Sequence, residues 1–147
     1  MKKIFIMLFL GAGASAAAQT PFADCFFDKT MRFDYYHAGD SRSEEYFFDA
    51  LKEEPYWAGS KVSLVDTTGY GNQFFRIVDR ASGREIYSRG FCTLFNEWQS
   101  TPEADSVRRS YPESVVFPYP KRPCRIEIFT RNGKGRFEKR FSQNIDP

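Results

Sequence analysis

Histidine is almost missing from this sequence, and its scarcity removes one class of enzyme. The 147 residues contain one histidine, His37. A zinc hydrolase of the HExxH kind places two histidines one helical turn apart, so that both reach one metal ion. This chain alone cannot supply such a site, and it has no D-x-D-x-D-G loop for calcium. The sequence therefore predicts no metal site and no resident cofactor.

Cysteine is also scarce, and its number is odd. The three cysteines, Cys25, Cys92 and Cys124, allow at most one internal disulfide, and their spacing does not select a pair. Cys92 would be a nucleophile only if His37 approached it as a base. Both fall in strand-like stretches, away from the helix starts and sharp turns that activate such side chains. We therefore expect Cys92 to be a small buried packing residue and His37 an ordinary imidazole at a strand end.

Other catalytic patterns are missing as well. Acidic pairs such as Glu44-Glu45 are neighbours on a predicted strand, where consecutive side chains point to opposite faces. They do not supply two carboxylates at a fixed separation across a cleft, which glycoside hydrolysis requires. No glycine-rich phosphate loop follows a predicted strand. The sequence therefore predicts no catalytic residues.

Long apolar runs are limited to the N-terminus. Lys2 and Lys3 precede the apolar residues 4–10, and small residues follow as far as Ala18. This pattern is typical of a secretory signal peptide and is too short for a membrane span. We expect residues 1–18 to be removed and residues 19–147 to form a single exported domain, either periplasmic or secreted.

The expected mature domain has no net charge. The chain has 21 basic and 19 acidic residues, and removal of Lys2 and Lys3 leaves 19 of each. A neutral domain with dispersed charges lacks the basic surface that binds nucleic acids and anionic membranes. We therefore expect neither as a partner.

Short strands are what the chain has in abundance. The stretches MRFDYYH, QFFRIVD and RIEIFTR alternate apolar and polar residues, and DRASG and Asn132-Gly133 are turn signals between such stretches. There is no βαβ rhythm. The pattern predicts an all-β fold, an antiparallel β-sandwich of about seven to eight strands. Thr101-Pro102 predicts one short helix near residues 102–107.

Three stretches carry more specific expectations. SRSEEYFFDALKEEP fits either a helix or a strand, and we favour a strand. GREIYSRGFCTLFNEWQ is interpreted as a strand that passes through Cys92 and ends at Glu97-Trp98-Gln99. In RFEKRFS, simple alternation places Phe137 and Phe141 on the same face.

Aromatic residues near turns are the remaining candidates for binding. Tyr56, Trp57, Tyr70 and Trp98 lie beside glycine, proline or the end of a predicted strand. Such rings stack on sugars or anchor peptides, but they also fill the ends of sandwich cores. We favour the core for these residues and keep ligand or partner contact as the alternative.

Longer stretches of the sequence resemble one family. They are MRFDYYHAG, EEPYWAGSK, GYGNQFFRIVDRASGREIYSRGFCTLFNEWQ and ESVVFPYP followed by RIEIF, with IDP at the end. In this order they resemble the N-terminal domain of exported bacterial IgA-peptidase-type zinc metallopeptidases, the sixty-fourth family of metallopeptidases. The resemblance covers roughly residues 28–147, nearly all of the expected mature chain.

The resemblance implies a non-catalytic accessory module. In the family, a β-sandwich domain precedes a separate catalytic domain that carries HExxH and zinc, and no position of this sequence matches those ligands. The family usually has serine at the position of Cys92. The implied partner is a peptidase catalytic domain, and the implied work is to position the peptidase or its substrate. Whether the chain is truncated or free-standing stays open. The alternative function is a glycan- or peptide-binding module, and a cysteine-dependent enzyme is the least favoured hypothesis.

Overall fold

Within residues 21–147, seven strands form two antiparallel sheets. A computed structural model describes residues 21–147, so the predicted signal peptide at residues 1–18 lies outside the described residues. The strands are β1 (Phe26–Asp40), β2 (Ser43–Glu54), β3 (Gln73–Asp79), β4 (Glu85–Phe91), β5 (Arg109–Pro120), β6 (Cys124–Arg131) and β7 (Phe137–Ile145). Their order is β2-β1-β5 in one sheet and β4-β3-β6-β7 in the other. The predicted all-β sandwich is confirmed.

Three short helical segments accompany the strands in the described part of the chain. They are α1 (Phe22–Cys25), α2 (Leu94–Gln99) and a 3-10 helix (Pro102–Asp105). The 3-10 helix confirms the helix predicted near residues 102–107, with Pro102 in its first turn. No helix within residues 21–147 is long and apolar enough to cross a bilayer.

The central strand β1 shows why the alternating pattern produces a sandwich. Met31, Phe33 and Tyr35 are buried and point into the space between the sheets. They meet buried side chains of the opposite sheet, including Phe75, Ile77, Ile126 and Ile128. Burial of these apolar side chains on one face of each sheet supplies the main driving force for stacking the sheets.

The stretch SRSEEYFFDALKEEP, which fitted either a helix or a strand, forms strand β2 as predicted. Its pairing with β1 contains a bulge, because Asp34 lies opposite Ala50 while Tyr35 lies opposite Phe48. Asp49 is the extra residue, and it resets the alternation along β2. As a result Phe48 turns towards Phe33, with ring centroids 5.3 Å apart, while its neighbour Phe47 points outwards.

A second bulge lies in β7 and corrects one expectation. Ile128 pairs with Phe141 and Phe129 pairs with Lys139, which leaves Arg140 as the extra residue. Phe137 therefore lies on the outer face beside Phe74, with ring centroids 5.3 Å apart, whereas Phe141 packs into the core. The prediction that Phe137 and Phe141 share a face is wrong, because simple alternation fails across a bulge.

The stretch after β4 corrects a second expectation. The strand ends at Phe91, and the chain turns into α2 instead of continuing to Trp98. Thr93 caps the helix, since its hydroxyl accepts the Asn96 N–H at 3.2 Å. Cys92 precedes this cap and is exposed, so the prediction of a buried packing thiol is wrong. All three cysteines are free thiols, and Cys25 and Cys124 are buried.

The long connection between β2 and β3 covers the outer edge of β4. Ser88 N–H donates to the Leu64 carbonyl at 2.9 Å, and Gly90 N–H donates to the Asp66 carboxylate at 2.8 Å. A Cβ on Gly90 would lie 1.9 Å from the Tyr70 carbonyl oxygen, so this close approach requires glycine. The loop thus satisfies a strand edge that would otherwise be open to another chain.

Candidate functional site

The most unusual group in the structure is His37, which is fully buried in β1. Its Nδ1 lies 3.2 Å from a carboxylate oxygen of Glu113 on β5, and its Nε2 lies 3.2 Å from one of Glu44 on β2. The ring also lies between two aromatic rings, Tyr46 and Phe95, with centroid distances of 4.2 Å and 3.9 Å. One imidazole therefore ties the three strands of its sheet together.

The charge state of His37 follows from these contacts. Burial by itself lowers the pKa of the imidazole, but hydrogen bonds to Glu113 and Glu44 outweigh burial and raise the pKa above its ordinary value of 6.5. Two carboxylate acceptors require both ring nitrogens to carry protons, which only the imidazolium provides. We describe the group as a carboxylate–imidazolium–carboxylate clamp formed by Glu44, His37 and Glu113.

Each glutamate of the clamp holds a further element. Glu113 accepts the Phe95 N–H at 3.2 Å and so anchors the first turn of α2. Glu44 accepts from Arg140 Nε at 3.0 Å, which joins β2 to β7 of the other sheet. Burial raises the pKa of Glu44, but the hydrogen bond from His37 and the charge of Arg140 hold that pKa below its ordinary value. The clamp thus fastens both sheets and α2 at one end of the sandwich.

A network of neutral groups lies beside the clamp. Tyr46 Oη donates to the Gln73 side-chain oxygen at 2.9 Å, and Gln73 Nε2 donates to Asn96 Oδ1 at 2.8 Å. Thr130 lies within 3.1 Å of both Tyr46 Oη and Gln73 Nε2. Because Gln73 is fully buried, these hydrogen bonds satisfy polar groups that would otherwise destabilise the fold.

The clamp does not have the chemistry of a catalytic pair. A general base needs a free lone pair, and both nitrogens of His37 are engaged with glutamates. Cys92 is exposed, whereas His37 is fully buried. Among residues 21–147, no group of three or more histidine, cysteine, aspartate or glutamate side chains is arranged to hold a metal ion. The sequence predicted that His37 is an ordinary imidazole at a strand end. This prediction is wrong, because His37 lies within β1 and joins the three strands of its sheet.

A polar depression of about 540 Å³ adjoins the clamp. The β1–β2 turn, α2, β6 and β7 surround it. Its lining includes Ser41, Arg42, Glu44, Asn96, Gln99 and Arg140. Glu44 therefore contributes both to the clamp and to the wall of the depression.

The four aromatic residues predicted as candidates occupy different environments. Tyr56 and Tyr70 are exposed, at 74% and 78%, so the favoured prediction of a place in the core is wrong for both. Trp57 is half-buried against Tyr87 in the main core, and its Nε1 donates to the Ser60 carbonyl at 3.1 Å. Trp98 is 8% exposed and belongs to a separate cluster under α2. The two tryptophans therefore do not share a hydrophobic cluster.

Trp98 is held on several sides. Its ring packs against Phe95 and Tyr111, with centroid distances of 5.7 Å and 5.8 Å. Its indole N–H donates to a Glu103 carboxylate oxygen at 2.8 Å. These contacts fasten α2 to the 3-10 helix and to β5, which is the packing role considered for this residue in the sequence.

Sequence reasoning missed two surfaces. The depression depends on residues that are distant in sequence, and no local pattern joins Arg42 to Asn96. The second surface consists of Tyr36 and Phe47, which pair across β1 and β2 and are 42% and 53% exposed. Its signal was hidden because the bulge at Asp49 decides that Phe47 shares a face with Tyr36, while Phe48, itself 43% exposed, turns towards Phe33.

Comparison of the chain with known protein families gives one match. No curated protein matches the chain. The family described as Peptidase M64 N-terminus matches residues 21–142, which includes all seven strands except the last residues of β7. Because this match covers most of the sequence, the chain belongs to the Peptidase M64 N-terminus family.

Proposed function

We propose that this chain is an exported, non-catalytic accessory module of an IgA-peptidase-type zinc metallopeptidase. It positions the catalytic domain or presents the substrate to it. The observation that carries the proposal is the family match over residues 21–142, which corresponds to the N-terminal part of M64 peptidases. The N-terminal pattern of Lys2, Lys3 and the apolar residues 4–10 supports export to the periplasm or the exterior.

The site geometry supports a non-catalytic role. The sole histidine is engaged by Glu44 and Glu113, and it therefore holds the fold instead of acting on a substrate. In the proposed arrangement, zinc and the HExxH motif belong to a catalytic domain separate from residues 21–142. The module then contributes binding energy away from the reacting bond, which lowers KM more than it raises kcat.

The proposal is tested first on the chain by itself. The purified protein is analysed for bound zinc and is incubated with immunoglobulin A and casein, with and without a chelator. We expect no zinc retention and no cleavage. Chelator-sensitive proteolysis by the chain alone, retained after chromatography and independent of contaminating protease, would overturn the non-catalytic assignment.

A second candidate function is a free-standing binding module for a glycan or a peptide. The exposed rings of Tyr56 and Tyr70 favour it, because exposed aromatic side chains provide flat apolar contact area at low entropic cost. A glycan and peptide array is probed with the parent and with Tyr56→Ala, Tyr70→Ala and Trp57→Ala. Loss of a specific array signal in these variants supports binding through these rings. Unchanged signals in all three variants exclude these rings as the ligand-binding surface.

A further inference from the structure

The depression beside the clamp has an unusual lining for a surface pocket of its size. Its volume of about 540 Å³ lies within the range of small-molecule sites, yet every side chain that lines it is polar. It offers no aromatic ring for stacking and no apolar recess for a peptide side chain. Recognition in this depression therefore depends on hydrogen bonds and charge.

Arg42 supplies an available charge at the rim. Its guanidinium has no ion-pair or hydrogen-bond partner among the residues that the structure describes. Its backbone is nevertheless fixed, because Asp40 Oδ1 accepts the N–H groups of Arg42 and Ser43, each at 2.9 Å. A guanidinium on a fixed turn is well suited to bind a carboxylate with two parallel hydrogen bonds.

Asn96 and Gln99 supply neutral hydrogen-bonding groups on the α2 side. Asn96 Oδ1 is occupied, since it accepts from Gln73 Nε2 at 2.8 Å and from Thr93 Oγ1 at 3.0 Å. Its Nδ2 has no acceptor among the described residues. Gln99 is oriented in the opposite sense, because its Nε2 donates to the Asp40 carbonyl at 2.9 Å. Its side-chain oxygen accepts no hydrogen bond from the residues that the structure describes. The wall thus offers one amide donor and one amide acceptor.

The acid in the wall does not repel an anion. The two oxygens of Glu44 are directed to His37 at 3.2 Å and to Arg140 at 3.0 Å. Its negative charge is therefore compensated within the protein. Arg140 reaches Glu138 through one terminal nitrogen, and its other terminal nitrogen has no partner within residues 21–147. Two arginines, Arg42 and Arg140, and one glutamate, Glu44, line the depression, so its lining carries an excess of positive charge.

We propose that the depression binds an acidic sugar, with its carboxylate on Arg42 and its hydroxyl groups on Asn96, Gln99 and Arg140. A sugar of this class combines one carboxylate with several groups that both donate and accept hydrogen bonds, which matches the lining. A simple carboxylate such as acetate would satisfy Arg42 alone and leave the amide groups unused. The site is independent of the accessory role, because it requires no peptidase domain.

The test uses nuclear magnetic resonance, which detects the side-chain amide of Asn96 directly. The ¹⁵N-labelled chain is titrated separately with D-glucuronic acid, N-acetylneuraminic acid, D-glucose and acetate. We expect the Nδ2 protons of Asn96 and the backbone amides of residues 41–43 to shift with at least one acidic sugar. Glucose and acetate should bind about tenfold or more weakly than that sugar, because glucose lacks the carboxylate and acetate lacks the hydroxyl groups.

A pair of matched variants decides the role of the guanidinium. Arg42→Gln should weaken the acidic sugar about tenfold, whereas Arg136→Gln, which removes the same charge from the β6–β7 turn, should not. Three results would each overturn the proposal. These are unchanged binding in Arg42→Gln, binding of acetate or glucose as tight as that of the acidic sugar, and no shift of Asn96 with either acidic sugar at the highest soluble concentration.

Discussion

The imidazole of His37 and the carboxylate of Glu113 meet at 3.2 Å inside the sandwich, although 76 positions separate them in the sequence. The same carboxylate accepts the Phe95 N–H, so β1, β5 and α2 depend on one buried charge pair. Buried ion pairs are poor net sources of stability, but removal of one partner leaves an uncompensated charge. The clamp is therefore a point where single substitutions have large and distinguishable effects.

Removal of one carboxylate charge from the clamp should destabilise the fold strongly. The side chains of Glu44 and Glu113 are only 11% and 8% exposed, so solvent cannot replace the lost partner. We expect Glu113→Gln to lower the free energy of unfolding by about 3 kcal/mol. Urea denaturation measures this change.

The matched control is Glu45→Gln, one residue along β2 from the clamp. Glu45 is 55% exposed and pairs with Arg108 at the surface. Its substitution should change the free energy of unfolding by no more than about 0.5 kcal/mol. Equal effects of Glu113→Gln and Glu45→Gln would mean that the buried clamp does not stabilise the fold.

Stability should fall at alkaline pH as His37 loses its proton. Its folded pKa lies above the ordinary 6.5, so the stabilisation is complete below the unfolded pKa and disappears as pH rises through the folded pKa. The lowered pKa of Glu44 has the opposite sign, since its contribution is lost as pH falls through the folded value. Clamp stabilisation should therefore be largest between the ordinary pKa values of Glu44 and His37, 4.5 and 6.5.

The single histidine makes this pH dependence measurable without ambiguity. Nuclear magnetic resonance titration of the imidazole gives the folded pKa, and urea midpoints across about pH 4 to pH 9 give the stability. The alkaline loss should be smaller in His37→Gln than in the parent. A titration midpoint at or below 6.5 would contradict the charged state assigned to His37.

The three thiols should react very differently in the folded, reduced protein. Cys92 is exposed, whereas Cys25 and Cys124 are buried in the main core. Burial raises the pKa of Cys25, and it raises the pKa of Cys124 to about 12, so neither forms the reactive thiolate near neutral pH. Iodoacetamide labelling followed by mass spectrometry should find one modified residue, Cys92.

A matched variant checks the assignment of the labelled thiol. Cys92→Ser should abolish native labelling and leave the free energy of unfolding nearly unchanged, because the side chain is exposed. Labelling of Cys124 at a rate comparable to that of Cys92 would show that the core at β6 is open.

Trp98 and Tyr70 should differ sharply in their contribution to stability. Trp98 is 8% exposed and packs against Phe95 and Tyr111, so Trp98→Ala should cost about 3–5 kcal/mol. Tyr70 is 78% exposed, and Tyr70→Ala should have an effect within about 0.5 kcal/mol. Thermal and urea denaturation compare the two. A small effect of Trp98→Ala would place this ring outside the packed end of the sandwich.

Periodicity in the sequence predicts the parts of the fold that are regular. Met31, Phe33 and Tyr35 alternate without interruption, and the structure buries all three. The same reasoning fails where one residue is inserted, as at Asp49 in β2 and Arg140 in β7. A bulge leaves no clear mark in the local sequence but reverses the faces of all residues that follow it.

Short helices and long-range polar contacts escape sequence reasoning for different reasons. The six residues of α2 are too few to show helical periodicity, and two of them are aromatic residues common in strands. The signal that could have found α2 is Thr93, whose hydroxyl caps the helix. The clamp has no local signal, because β1, β2 and β5 bring Glu44 and Glu113 to His37 only after both strand pairings form.

The accessory role is tested most directly by adding this chain to a peptidase. An M64 catalytic domain is assayed alone and joined to residues 21–147, with a short peptide and with immunoglobulin A as substrates. We expect the module to leave kcat/KM for the short peptide unchanged and to raise kcat/KM for immunoglobulin A, chiefly through a lower KM. Identical kinetics for both substrates with and without the module would contradict the proposed function.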